Sequence, residues 1–212
     1  MRRLVLIPVV LALAACGGGG SSSSSSDALL HPDKLSAKAP AVYDITFHTT
    51  KGTFVVKVQR SLAPLGADRL YNLAKNGFFT DVKFFRVVPG FVVQFGISPD
   101  PKISAAWRVA NIADDPVKAH NARGTLTFAS AGPNTRTTQL FINLVNNSSL
   151  DANGFAPVGE VTKGMDVVGS LYSGYGETPT SAQGELMSQG NAYLDKHFPK
   201  LDEITSATVS AA

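Results

Sequence analysis

The chain has 212 residues, 44% of them hydrophobic and 17% charged, which is enough for one domain of ordinary size and too little for two large ones. A single Cys excludes an internal disulfide framework and a multi-thiolate metal site. The net charge is +3, and without Arg2 and Arg3 it falls to 17 basic against 16 acidic groups, so there is no concentrated basic face for nucleic acid. No apolar run reaches the ~20 residues of a spanning helix, which excludes a polytopic membrane protein.

In chain order, residues 1–16 read as an export signal: Arg2 and Arg3, an apolar stretch from Leu4 to Leu13, then Leu13-Ala14-Ala15-Cys16. That ending resembles the lipobox of bacterial lipoproteins, in which the Cys is acylated and becomes the new N-terminus. The resemblance implies a lipid anchor on Cys16 and a place in the bacterial cell envelope, on the periplasmic side. Residues 17–40 read as a flexible tether, with Gly17–Gly20 and Ser21–Ser26 followed by a polar stretch broken by Pro32 and Pro40. Residues 41–212 are then the folded domain.

Within that domain, Tyr43, Ile45 and Phe47 alternate with polar residues, and Phe54, Val56 and Val58 do so again after Thr50-Lys51-Gly52, which predicts a hairpin. Pro64 to Asn76 is a predicted helix, with Pro64 in its first turn and Gly77 as its left-handed stop. Short apolar runs follow at Phe84–Val88, Phe91–Phe95, Gly124–Ala129, Gln139–Val145 and Phe155–Thr162. A short helix is expected near Met165 to Leu171, another near Asn191 to His197, and a closing strand at Ile204–Val209. Many short strands, frequent Gly/Pro turns and few helices predict a mainly β fold, a closed barrel or sandwich with helices at its ends.

The usual catalytic groupings are missing from the sequence. His31, His48, His120 and His197 are scattered and read as surface residues, and Asp114-Asp115 reads as a pair of solvated loop acids. No Gly-x-Ser-x-Gly elbow and no phosphate loop is present. From the residues alone two possibilities stand: a ligand-binding barrel, or an enzyme whose chemistry needs neither metal nor nucleophile.

The run Phe84-Phe85-Arg86-Val87-Val88-Pro89-Gly90-Phe91-Val92-Val93-Gln94-Phe95-Gly96 sets one Arg and one Gln among apolar residues on neighbouring strands. It resembles the signature of the cyclophilin family of peptidyl-prolyl cis/trans isomerases. Two further stretches resemble the family in the same order. One is Gly124-Thr125-Leu126-Thr127-Phe128-Ala129-Ser130-Ala131-Gly132-Pro133-Asn134-Thr135 with Thr138-Gln139-Leu140-Phe141-Ile142. The other is Leu150-Asp151 with Phe155-Ala156-Pro157-Val158-Gly159-Glu160-Val161.

The resemblance implies a closed eight-stranded antiparallel barrel with end-capping helices. It implies Arg86, Phe91 and Gln94 as catalytic residues. Val92, Ala129, Ser130, Ala131, Gln139, Phe141, Leu150 and Phe155 are the implied substrate-binding residues. It implies no metal and no cofactor, proline-containing polypeptides as partners, and a monomer that assists the folding of exported proteins. The alternative is a catalytically weak binder, or chaperone, of proline-containing segments. Four positions depart from the family pattern: Val92 for a frequent Met, Ser130 for Asn, Phe155 near a common His, and Ser149 for the Trp that precedes Leu-Asp in eukaryotic members. The last implies weak sensitivity to cyclosporin.

Overall fold

The computed structural model describes residues 27–212, so the expectations for Cys16, the export signal and the Gly/Ser tract lie outside the described residues. The first hairpin forms where the alternation predicts it. β1 (Val42–Thr49) pairs antiparallel with β2 (Gly52–Gln59), and Thr49 stands opposite Gly52 across the turn. Tyr43, Ile45, Phe47, Phe54, Val56 and Val58 are all fully buried, as period-2 geometry requires of one strand face.

The helix α1 (Pro64–Lys75) ends in a Schellman arrangement, in which Gly77 N–H donates to Ala74 O (3.2 Å) and Phe78 N–H to Leu73 O (3.0 Å). Its N-terminus has no side-chain cap of its own, because Ala63 occupies that position. Instead Asp115 accepts from Leu65 N–H (3.1 Å) and Gly66 N–H (2.9 Å) and pairs with Arg136 at 3.0 Å. Asp115 is therefore not a solvated loop acid: it is buried, 6% exposed, and its charge is matched by two helix N–H donors and a guanidinium. Leu70, Leu73 and Ala74 form the buried face of α1, and Leu65 is exposed.

The remaining elements are β3 (Val82–Lys83), β4 (Arg86–Val87), β5 (Val92–Phe95), α2 (Pro101–Trp107), β6 (Thr125–Phe128), β7 (Leu140–Asn143), β8 (Pro157–Lys163), α3 (Met165–Gly169), α4 (Gln183–Gln189), α5 (Asn191–His197) and β9 (Glu203–Ala211). All pairings are antiparallel, and they form one sheet in the order β3-β9-β1-β2-β8-β6-β7-β5-β4. The sheet curls on itself. Phe47 on β1 and Phe95 on β5 are five strands apart, about 24 Å in a flat sheet, yet their ring centroids lie 6.0 Å apart. Phe54, Phe79 and Phe84 complete this aromatic core.

The expected closed eight-stranded barrel is corrected in one respect. The paired strands number nine, and the hydrogen-bonded ladder is open between β3 and β4. These two are halves of one run, interrupted at Phe84-Phe85, and they pair at opposite ends of the sheet. The interruption has a packing cause. Phe84 is buried in the main core, whereas Phe85 is buried in a separate cluster with Ile97, Leu186, Leu194 and Leu201. The helix α1 packs against β8 and β9, and α3 packs against β2.

The tether expected through Pro40 is also corrected, since from Leu29 onward the chain is packed on the domain. Leu29 is 4% exposed, and its carbonyl accepts from Trp107 Nε1 at 2.8 Å. Ala37 exchanges hydrogen bonds with the Asn72 side chain, and Ala39 N–H donates to Asp68 Oδ1 at 2.8 Å. These partners lie about thirty or more residues away along the chain, beyond the reach of local composition. Among the described residues, no helix is long and apolar enough to cross a membrane.

Candidate active site

The site is built on the outer face of β4, β5 and β7. Across these strands Arg86 stands opposite Gln94, and Gln94 opposite Phe141, so the three side chains form one row. Their strand neighbours Val93, Phe95, Leu140 and Ile142 point the other way, into the barrel core. Between β4 and β5 the chain reverses at Pro89-Gly90. Gly90 adopts φ +75°, and Phe91 N–H donates to Val88 O at 3.0 Å, a turn that a Cβ at position 90 would strain. This turn sets Phe91 beneath the Arg86 guanidinium, 5.3 Å from ring centroid to Cζ, within cation–π range.

A cleft of about 260 Å³ opens here, lined by Arg86, Phe91, Val92, Gln94, Ala129, Ser130, Phe141, Leu150 and Phe155. All nine are residues that the sequence motifs single out. A smaller groove of about 170 Å³ adjoins it, and this holds the remaining two, Ala131 and Gln139, with Thr135, Thr137 and Gln183. The floor of the cleft is aromatic: Phe141 and Phe155 meet edge to face at 5.7 Å, Phe141 being 5% exposed. The rim is polar. Arg86 Nη1 donates to Gln94 Oε1 at 3.2 Å, and Gln94 Nε2 donates to Gln139 Oε1 at 2.9 Å.

The far wall comes from a 3-10 turn, Ser148–Asn153, which carries Leu150, and from Phe155 just after Gly154. A buried polar cluster holds this wall in place. Asn121 donates through its backbone N–H and its Nδ2 to Asp151 Oδ1 (2.9 and 2.8 Å) and through Nδ2 to Phe155 O (2.8 Å). Its Oδ1 accepts from Thr127 Oγ1 at 2.9 Å and Asn143 Nδ2 at 3.2 Å, and Asn147 Nδ2 ties the turn to Phe91 O at 3.0 Å. Desolvation pushes the Asp151 carboxyl up, but hydrogen bonds from Asn121 and His120 outweigh it and hold the group below its ordinary value. Among the described residues, no three His, Cys, Asp or Glu side chains come together where they could hold a metal ion.

Sequence reasoning does not find Asn121, Asn143 or Asn147. Asn is common in loops, and the partners of these three lie up to 56 positions away. Nor does it find Glu177, whose Oε1 accepts from Arg86 Nε at 3.1 Å and also from Arg86 Nη2.

An apolar cleft on the face of a curled β-sheet, with a charged donor on its rim, can take one apolar group and hydrogen-bond a polar group beside it. The family model for cyclophilin type peptidyl-prolyl cis-trans isomerases matches residues 44–189. The peptidyl-prolyl cis-trans isomerase B of Escherichia coli is 35% identical over 177 residues, covering 78% of this chain and 99% of that protein. A peptidyl-prolyl cis-trans isomerase of Acinetobacter baylyi is 34% identical over 158 residues, covering 71% of this chain and 80% of that protein. A crystal structure of a cyclophilin type isomerase from Cryptosporidium parvum shares the fold, with a TM-score of 0.60 at 18% identity over 81% of this chain and 99% of that chain. The chain belongs to the cyclophilin-type peptidyl-prolyl cis-trans isomerase family of enzymes.

Proposed function

We propose that the protein accelerates cis/trans rotation about X-Pro bonds of exported polypeptides, working from a lipid anchor on Cys16 at the bacterial cell envelope, with no metal, cofactor or covalent intermediate. The observation that carries the reading is the row Arg86–Gln94–Phe141 at the mouth of the aromatic cleft. Rotation breaks no bond. Its uncatalysed barrier of roughly 18–20 kcal/mol is the loss of amide resonance. In the twisted state the lone pair localises on the proline nitrogen, and a donor aimed at that atom stabilises this state more than either planar isomer. Arg86 is such a donor, always charged and forked.

Phe91, Phe141, Leu150, Phe155 and Val92 grip the proline ring while the preceding carbonyl swings. Gln94 supplies both a donor and an acceptor to the peptide backbone. Ala129, Ser130 and Ala131 form the edge along which the peptide lies, and Gln139 orients Gln94. A lipid on Cys16 keeps this cleft beside the membrane across which its substrates emerge.

Magnetisation-exchange NMR on a short X-Pro peptide tests the reading. Arg86→Ala is expected to slow isomer exchange about 10²–10³-fold, equivalent to ~3–4 kcal/mol of transition-state stabilisation, while peptide affinity holds. Arg86→Lys should not restore the rate. Phe141→Ala should weaken affinity and rate together. Equal exchange by wild type and Arg86→Ala would overturn the mechanism. Mass spectrometry of the native protein should find a lipid-modified peptide beginning at Cys16, and a soluble form starting elsewhere would overturn the anchor.

A further inference from the structure

Between α3 and β9 the chain forms a body of its own, comprising a 3-10 turn (Thr178–Ala182), α4 and α5. Its apolar residues Leu186, Leu194 and Leu201 cluster on Phe85 and Ile97, which lie immediately before Arg86 and just beyond β5. Its backbone is pinned against the same region. Asn191 N–H donates to Pro99 O at 3.3 Å, and Gly190 approaches so closely that a Cβ there would lie 2.0 Å from that oxygen. This body is thus seated on the strands that carry Arg86 and Gln94.

From it Glu177 reaches Arg86. The Glu177 carbonyl accepts from Thr180 N–H (2.9 Å) and Thr180 Oγ1 (2.6 Å), so the carboxylate projects from an ordered turn. Its Oε1 accepts from Arg86 Nε and Nη2, while Gln94 Oε1 accepts from Nη1 on the other side. Of the five N–H groups of a guanidinium, these contacts use Nε–H and one on each Nη. One N–H on each Nη remains for a substrate amide. Glu177 lines neither the cleft nor the adjoining groove, so a bound peptide need not displace it.

We propose that Glu177 is a positioning residue for Arg86. Resting on the isomerase reading above, the inference is that its carboxylate fixes the Nε/Nη2 edge and so aims the remaining N–H groups at the twisted amide. An exposed ion pair adds little to stability, and the contribution here is orientation. A guanidinium free to rotate at its last torsions spends less of its time in the productive pose, which lowers turnover and leaves ground-state binding intact.

The test compares wild type with Glu177→Ala, Glu177→Asp and Glu177→Gln in the full chain, reading isomer exchange and peptide Kd from one NMR sample. Glu177→Ala is expected to slow exchange about tenfold, with Kd unchanged within twofold. Glu177→Asp withdraws the carboxylate by one methylene and should do nearly the same, whereas Glu177→Gln keeps an oxygen acceptor and should recover part of the rate. The Arg86 Nε–H resonance, assigned by its loss in Arg86→Lys, should shift and exchange faster with water in Glu177→Ala.

Wild-type rate in Glu177→Ala would overturn the proposal alone, provided the wild type is active. A faster rate would overturn it in favour of competition between carboxylate and substrate. A slower rate accompanied by loss of the amide signals of residues 178–201 would assign Glu177 a structural role instead. A wild type that exchanges no isomers would fail the isomerase reading itself and this inference with it.

Discussion

The barrel and the body between α3 and β9 are held together in different ways. The barrel core is one continuous aromatic cluster, Phe47, Phe54 and Phe95 from strands with Phe79 and Phe84 from the turns between elements, all fully buried. The smaller body has a few leucines on short helices and borrows Phe85 and Ile97 from the barrel. Its other aromatics, Tyr175, Tyr193 and Phe198, are only partly buried. The site takes its pocket from the first region and the outer restraint on Arg86 from the second. Rigidity and adjustment can therefore be altered separately, because local opening of a lightly packed unit costs less than global unfolding.

Three measurements would break or sharpen this contrast. Phe47→Ala, at the centre of the barrel cluster, should cost about 3–5 kcal/mol and lower every unfolding probe together. A loss confined to one part of the chain would show that the barrel does not melt as a unit. Leu186→Ala should cost roughly 2–3 kcal/mol, near the low end for a buried Leu, and the cost should appear in hydrogen exchange of residues 178–201 while β1, β2 and β8 stay protected. Uniform loss of protection would merge the two regions into one.

The third effect is absent at neutral pH. The Asp151 carboxyl titrates below its ordinary 3.8 in the folded chain, so its contribution to stability is complete above that value and is lost as pH falls through the depressed one. Acid should therefore loosen the Leu150 wall of the cleft before the barrel unfolds. In Asp151→Asn that part of the acid sensitivity should vanish, as read by the amide shifts of residues 148–155 below pH 4, near the ordinary carboxyl pKa.

Much of the barrel was legible because the causes are local, whereas the residues of the cleft were implied by the family resemblance. Alternation exposes β1 and β2, Pro64 and Gly77 bracket α1, and the Arg86-to-Gln94 spacing follows from two neighbouring strands joined by a Pro-Gly turn. The rest depends on contacts that local pattern does not carry. Asp115 caps a helix fifty positions upstream. Phe84 and Phe85 look like one strand segment and serve two cores. Glu177 meets Arg86 across 91 positions, in a stretch whose Gly, Ser and Tyr content has no clear period. The helix α2 escapes notice because its seven residues are too few to show an amphipathic repeat.

The N-terminal strap shifts where the domain can be cut. Composition suggests a boundary at Pro40, but a shortened chain starting at Ala41 would lose Leu29 from the core and take one hydrogen-bond partner each from Trp107 Nε1, the Asn72 side chain and Asp68 Oδ1. Each lost hydrogen bond costs a net ~0.5–1.5 kcal/mol, a noticeable share of what a domain of this size has in reserve. For the same reason, a protease that trims the chain without damaging the domain must cleave before Leu29. The segment that composition reads as a tether is a bolt across α1 and α2, and the N-terminal boundary of the packed domain lies at Leu29, eleven residues before Pro40.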